Sequence, residues 1–192
     1  MNSDQVRTRT DVLDRAFAST RAVLAEVQAG QLVARTPCAS WDVHALINHF
    51  VGTARWAAAS ISGGAEVAAQ DYAAGDFVAR YDESIQTALA AFGAEGALET
   101  AVALPFGEFS GAAFMSLAAT DQFTHGWDLA RAIGHPTDLD PELAGELLTR
   151  ARTAILEAYR GPDGVAPFGP VVQAPAGTGP AGLLAAFLGR PV

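Results

Sequence analysis

Phe114-Met115-Ser116-Leu117-Ala118-Ala119-Thr120-Asp121-Gln122-Phe123-Thr124-His125-Gly126-Trp127-Asp128-Leu129-Ala130-Arg131 is the stretch that decides how this chain is read. Its apolar residues recur at helical intervals, predicting a helix over about 112–133 that Gly134 ends. Phe114, Leu117, Ala118, Asp121, His125, Asp128 and Ala132 fall along one face. Residues four apart on a helix project from the same side, so Asp121 and His125 can grip one cation together. A carboxylate on an otherwise apolar face needs a partner, because an unpaired buried charge is costly. A shared cation satisfies it, and so does a plain Asp–His or Asp–Arg pair. Both readings stand at this point.

A third candidate ligand lies far upstream, in His44-Ala45-Leu46-Ile47-Asn48-His49-Phe50-Val51-Gly52. His49, with Asp121 and His125, completes two imidazoles and one carboxylate, the set of an open site for a divalent transition metal. His44 sits on a different face and is a poor co-ligand; His135, in a Gly-His-Pro turn, reads as loop. Thr53 and Trp56 follow His49 on the same helix and are candidates to line a pocket. Asp128 can orient the His125 imidazole, or pair with Arg131 three residues on, and the second role is the favoured expectation. Glu108 is a candidate base that no spacing supports. Cys38 precedes a helix and is either a nucleophile activated by the helix terminus or a small buried thiol, the thiol being the plainer reading.

Working outward, a first helix is expected over about 4–28, with Val6, Leu13, Phe17, Leu24 and Val27 inward. A second is expected over about 41–62, N-capped by Ser40 and burying Val43, Leu46, Ile47, Phe50, Ala54, Ala57 and Ile61. A third spans about 75–92, with Phe77, Tyr81, Ile85, Leu89 and Phe92 on one side. Ala101–Leu104 and Glu108–Ser110, parted by Pro105-Phe106-Gly107, suit two short extended pieces. Asp140-Pro141 opens a fifth helix whose apolar face is Leu143, Leu147, Ile155 and Ala158. Residues 161–180, rich in glycine and proline, wrap the surface, and a short helix closes the chain near 181–188. The expected fold is all-α: a four-helix bundle with additional short helices and a short hairpin between helices 3 and 4. Residues 1–192 form a single metal-binding domain, 161–192 being its surface-wrapping tail.

Composition narrows the function classes. The 192 residues carry a net charge of −9, and all twelve basic residues are arginine. These are scattered, so no stripe tracks a phosphate backbone and nucleic acid is not an expected partner. Half of the chain is hydrophobic and mean hydropathy is +0.19, yet no run of 18 or more uncharged apolar residues suggests a membrane span. The N-terminus lacks the basic-then-apolar plan of a signal peptide, so the expected location is the cytoplasm. With one cysteine, Cys38, an intramolecular disulfide and a thiolate cluster within one chain are both excluded.

Two stretches carry a resemblance. Thr36-Pro37-Cys38-Ala39-Ser40-Trp41-Asp42-Val43-His44-Ala45-Leu46-Ile47-Asn48-His49-Phe50-Val51-Gly52 resembles the second-helix signature of the mycothiol-dependent maleylpyruvate isomerase N-terminal domain, of the DinB-like superfamily. Asp121–Gly134 resembles the same group's later metal-bearing helix. Within the group the chain is most similar to a single-domain, actinobacterial-type metal-binding subfamily, which the closing Phe187-Leu188-Gly189-Arg190-Pro191 also fits. The resemblance implies a DinB-like bundle holding a divalent metal through His49, Asp121 and His125. The isomerase carries glutamate where Asp121 stands, and a further C-terminal domain that this chain does not match. Superfamily members with assigned activities use mycothiol or bacillithiol, activated by the metal.

Three functions follow. The leading one is a metal-dependent enzyme that activates a low-molecular-weight thiol, a mycothiol-type S-transferase or isomerase. Its partners are a small-molecule thiol and an electrophile, and its metal is zinc, with nickel or iron as alternatives. The others are a metal-dependent hydrolase and a non-enzymatic metal-binding module. The apolar helices also suit a homodimer.

Overall fold

The computed structural model describes residues 3–64, 68–105, 107–162 and 165–192, with the side chains of residues 3–9 left out. The Val6 side chain and Phe106, named above, lie outside what it describes. Four long helices make the body: α1 (Ser3–Leu24), α2 (Val43–Ile61), α3 (Phe77–Gly93) and α4 (Gly111–Ile133). A hairpin of β1 (Ala101–Leu104) and β2 (Gly107–Ser110) joins α3 to α4, in antiparallel register from Ala101 opposite Ser110 to Leu104 opposite Gly107. Then come α5 (Pro141–Ala154) and α6 (Pro180–Phe187). The all-α bundle with a small hairpin is as expected. Among the described residues no helix is long and apolar enough to cross a membrane.

Side-chain caps fix the helix starts. The Asp42 carboxylate accepts from the Ala45 N–H at 2.8 Å, Asp76 from Ala79 and Ser110 from Ala113, each satisfying one orphan donor of a first turn. The expected Ser40 cap is corrected to Asp42: α2 begins at Val43, and Ser40 lies in the turn before it. Asp140 caps α5 as expected, with Pro141 in the first turn. That helix ends at Ala154, earlier than the sequence suggests. Ile155 is still buried, but Ala158 is exposed in a 3-10 turn and does not belong to the apolar face. The first helix likewise ends at Leu24, short of 28. Gly134 terminates α4 at φ 75°, the left-handed conformation that glycine adopts freely.

The seven apolar residues expected on the inner face of α2 are all buried. Tyr81 of α3 packs edge-on against Phe50 of α2 (4.9 Å between ring centroids) and Phe17 of α1 (6.0 Å). One glycine sets how closely α1 and α4 approach. A Cβ built on Gly126 would lie 2.3 Å from Thr20 Oγ1 and 3.0 Å from Thr20 Cα. Without it, the Thr20 hydroxyl donates to the Gln122 carbonyl at 2.7 Å. Gln122 extends the same buried network: its Oε1 accepts from Tyr81 Oη at 2.7 Å, and its Nε2 donates to the Phe50 carbonyl and to Thr53 Oγ1. Thr20, Tyr81, Gln122 and Thr53 are all paired within this network, which ties α1, α2, α3 and α4 together around the neighbouring Asp121.

Candidate metal centre

Two helices bring their side chains together. Helix α2 presents His49 and Thr53 and α4 presents Asp121 and His125; Trp56 packs on Phe114, further along the bundle, and Asp128 stands behind His125. Nε2 of His49 and Nε2 of His125 each lie 3.4 Å from the same oxygen, Asp121 Oδ1. One ligand atom from each of the three residues falls within 4.8 Å of the others. The other carboxylate oxygen, Oδ2, accepts from Thr53 Oγ1 at 3.0 Å, so the carboxylate is pinned with Oδ1 toward the imidazoles. Trp41, in the loop before α2, stacks against His49 with ring centroids 4.3 Å apart.

The far edge of His125 is equally ordered. Its Nδ1 lies 3.0 Å from Asp128 Oδ2. A carboxylate accepts, so Nδ1 carries the proton and the neutral ring presents a lone pair at Nε2. Asp128 is fully buried and receives three further hydrogen bonds from Arg190, at 3.2–3.4 Å. Cys38 Sγ donates to Asp128 Oδ2 at 3.2 Å and accepts from Arg190 Nη2 at 3.4 Å. The expected Asp128–Arg131 pair is therefore corrected: Arg131 is exposed and lies over the Trp127 ring at 5.6 Å. Burial with two firm partners was the stronger demand on Asp128. Arg190 was missed as a partner because it lies 62 residues from Asp128, beyond any helical spacing rule; its signal was the closing Phe-Leu-Gly-Arg-Pro stretch.

Charge balance follows from these contacts. Burial alone would raise the Asp121 carboxyl, but the facing charge and hydrogen bond of His125, then those of His49, hold it well below the usual carboxylate range. Burial pushes His125 down, and Asp121, Asp128 and Cys38 together outweigh it, so the imidazole stays well above its ordinary value. Asp128 is lowered, against burial, by Arg190 and His125. A proton and a divalent cation compete for His125 Nε2, the atom that faces Asp121 and His49.

The donor spacing fits a metal. Two ligands each about 2.0–2.1 Å from a tetrahedral ion sit roughly 3.4 Å apart, the separation of Asp121 Oδ1 from both imidazole nitrogens. A second group, Cys38, His125 and Asp128, also lies within ligand distance. There, however, Arg190 is already in contact with both Sγ and the carboxylate, and a cation would meet a guanidinium at close range. The side chains of His49 and Asp121 keep 27% and 34% of their exposure, whereas Asp128 keeps none. The first group is open on one side and the second is closed. His44 pairs with Asp71 at 3.0 Å, His135 Nδ1 donates to the Pro136 carbonyl, and Glu108 is exposed on β2; none of the three joins the centre.

A helical bundle with two histidines and an aspartate converging inside it, and a charged pair bracing one imidazole from behind, is an arrangement in which a metal site can be built. The sequence comparisons narrow this further. Residues 13–130 match the model of the mycothiol maleylpyruvate isomerase N-terminal domain, and the chain belongs to that family. Two relatives from Mycobacterium tuberculosis, of strains CDC 1551 / Oshkosh and ATCC 25618 / H37Rv, are each 41% identical over 182 residues, covering 93% of this chain and 95% of theirs; both are described as uncharacterized proteins. No solved structure matches significantly.

Proposed function

We propose that this chain is a divalent-metal enzyme, an S-transferase or isomerase, that activates a low-molecular-weight thiol of the mycothiol type, the thiol giving up its proton as its sulfur bonds to an electrophilic carbon. The observation that carries the reading is the convergence of His49 Nε2 and His125 Nε2 on Asp121 Oδ1, with an open cavity in front of Asp121 and His125. Three protein ligands leave a coordination position for a small molecule. A divalent ion there, zinc being the natural choice for two imidazoles and a carboxylate, favours the thiolate form of a bound thiol near neutral pH. The protein's own groups do the rest. Thr53 holds Asp121, Asp128 holds the His125 tautomer, Trp41 fixes the His49 ring, and the bundle keeps the donors preorganised.

Family membership supports the thiol, and the cytoplasm, where such thiols stay reduced, is the compartment this reading calls for. We treat residues 1–192 as one metal-binding domain, with 161–192 part of it, because Arg190 braces the centre. Elemental analysis of purified wild type is expected to find about one transition metal per chain, lost in His49→Ala and in His125→Ala. The metal-loaded protein is expected to conjugate mycothiol to a model electrophile above background. No metal after reconstitution with zinc, nickel or iron would refute the centre. Hydrolysis without added thiol would instead make the protein a metal-dependent hydrolase, and metal without turnover of either kind a binding module.

A further inference from the structure

The cavity in front of the centre has a character of its own. It encloses about 680 Å³, within the range of sites that hold drug-sized ligands. Asp121 and His125 form part of its wall, so it is continuous with the proposed centre. Away from them the lining is aromatic and aliphatic. Trp56 meets Phe114 edge-on at 5.3 Å, and Phe92 meets Phe114 at 5.5 Å; Leu117, Ile155 and Phe168 continue the wall. Exposed Ala112, Ala113 and Ala154 also line it, so part of its edge carries only small side chains.

Cations are placed unhelpfully for an acidic substrate. Among the described residues two arginines line the cavity. Arg190 is committed to Asp128 and Cys38. Arg150 pairs with Glu146, four residues earlier, and is 43% exposed at the rim. Tight recognition of a carboxylate calls for a desolvated arginine fork facing it; the buried fork, Arg190, already holds Asp128, and Arg150 is solvated and held by a single contact to Glu146. Apolar wall removed from water on ligand entry contributes roughly 25 cal/mol per Å², which favours a body without charge.

We propose that this cavity takes an uncharged, mainly apolar substrate of one or two rings, its reacting atom at the Asp121–His125 end and its body against Trp56, Phe114 and Leu117. The role of that substrate as electrophile rests on the thiol-transfer reading; the cavity's preference does not.

The test uses N-phenyl-1-naphthylamine, a neutral dye that brightens in apolar sites, with the purified full-length protein. Leu117 and Ala118 are half-buried lining residues on α4, so Leu117→Asp charges the wall and Ala118→Phe fills it with little demand on the core. Wild type is expected to show saturable, blue-shifted emission with micromolar affinity, weakened at least tenfold in each variant at unchanged circular dichroism and metal content. No saturable binding in wild type, or binding that a folded variant retains, overturns the proposal. If one variant fails to fold, the other decides. Metal content of the same samples separates the two readings: dye binding without any metal uptake removes the metal centre and leaves the cavity, and metal uptake without dye binding does the reverse.

Discussion

Replacing Asp128 by asparagine separates two duties of one buried carboxylate. Asp128 is fully buried, holds His125 Nδ1 at 3.0 Å and forms a two-pronged pair with Arg190. Asparagine keeps the shape and removes the charge. Arg190, whose side chain is only 15% exposed, then loses its contacting counter-charge, and breaking a buried pair in this way costs about 3–5 kcal/mol. For a domain of this size each kcal/mol lowers Tm by about 2–4 °C, so a fall of roughly 6–20 °C is expected. The amide can also donate to His125 Nδ1, which turns the lone pair to the wrong edge of the ring. Loss of such an orienting partner weakens metal binding about 10–100-fold. The assay is zinc titration against a competing chelator on the folded fraction, beside thermal unfolding. Adding Arg190→Met to Asp128→Asn removes the stranded charge, so much of the stability is expected to return while zinc affinity stays low. Unchanged zinc affinity in the folded single variant, or full recovery of affinity in the double, would refute the claim that Asp128 orients a metal-binding imidazole.

Cys38→Ala is expected to keep its zinc, since Cys38 belongs to the closed cluster; loss of the metal on elemental analysis would move the site to Cys38, His125 and Asp128. Gly126→Ala places a methyl 2.3 Å from Thr20 Oγ1 and breaks its 2.7 Å hydrogen bond to Gln122. Overpacking of about 1–3 kcal/mol and the lost bond of about 1 outweigh a helix-propensity gain of about 1, and a Tm at or above wild type would contradict this packing. Asp140 is lowered, against its own burial, by hydrogen bonds from Arg15 and Leu143 and by the Arg15 charge. A depressed carboxyl contributes stability above its unfolded value of about 3.9 that is lost as pH falls through the lower folded value. Asp140→Asn is therefore expected to cost about 1 kcal/mol at pH 7, a difference that shrinks toward zero below pH 4 in denaturant titrations; a constant difference across pH would contradict the ion pair.

Periodicity made the bundle legible. Leu46, Ile47, Phe50 and Ala54 are spaced as a buried helical stripe, and they are buried. The hairpin was legible from Pro105 and Gly107 between two short pieces, Ala101–Leu104 and Glu108–Ser110, that suit extended backbone. Local rules also placed Asp121 and His125 on one face, because a four-residue spacing is a property of the helix alone. The rest depended on tertiary contact. Ser40 and Asp42 are both good caps, and only the extended backbone at Asp42, fixed by the bridge of Arg35 to Asp42, selects between them. Arg131 is near Asp128 in sequence but faces solvent, whereas Arg190 is distant and brought in by the closing segment. The cavity was illegible for the same reason: its walls come from all five of α1 to α5, the hairpin and the tail, and no single stretch shows that they enclose a space.

The long reach from Arg190 back to Asp128 has a consequence during biosynthesis. The ribosome adds about 5–20 residues each second, so the 62 residues between them take about 3–12 s to make. For that interval α4 exists with an aspartate whose counter-ion has not been translated. Burying that carboxylate without the guanidinium is costly, so full docking of that end of α4 is favoured only once the closing segment is made. The four long helices and all three converging side chains are therefore translated well before the arginine that braces them from behind.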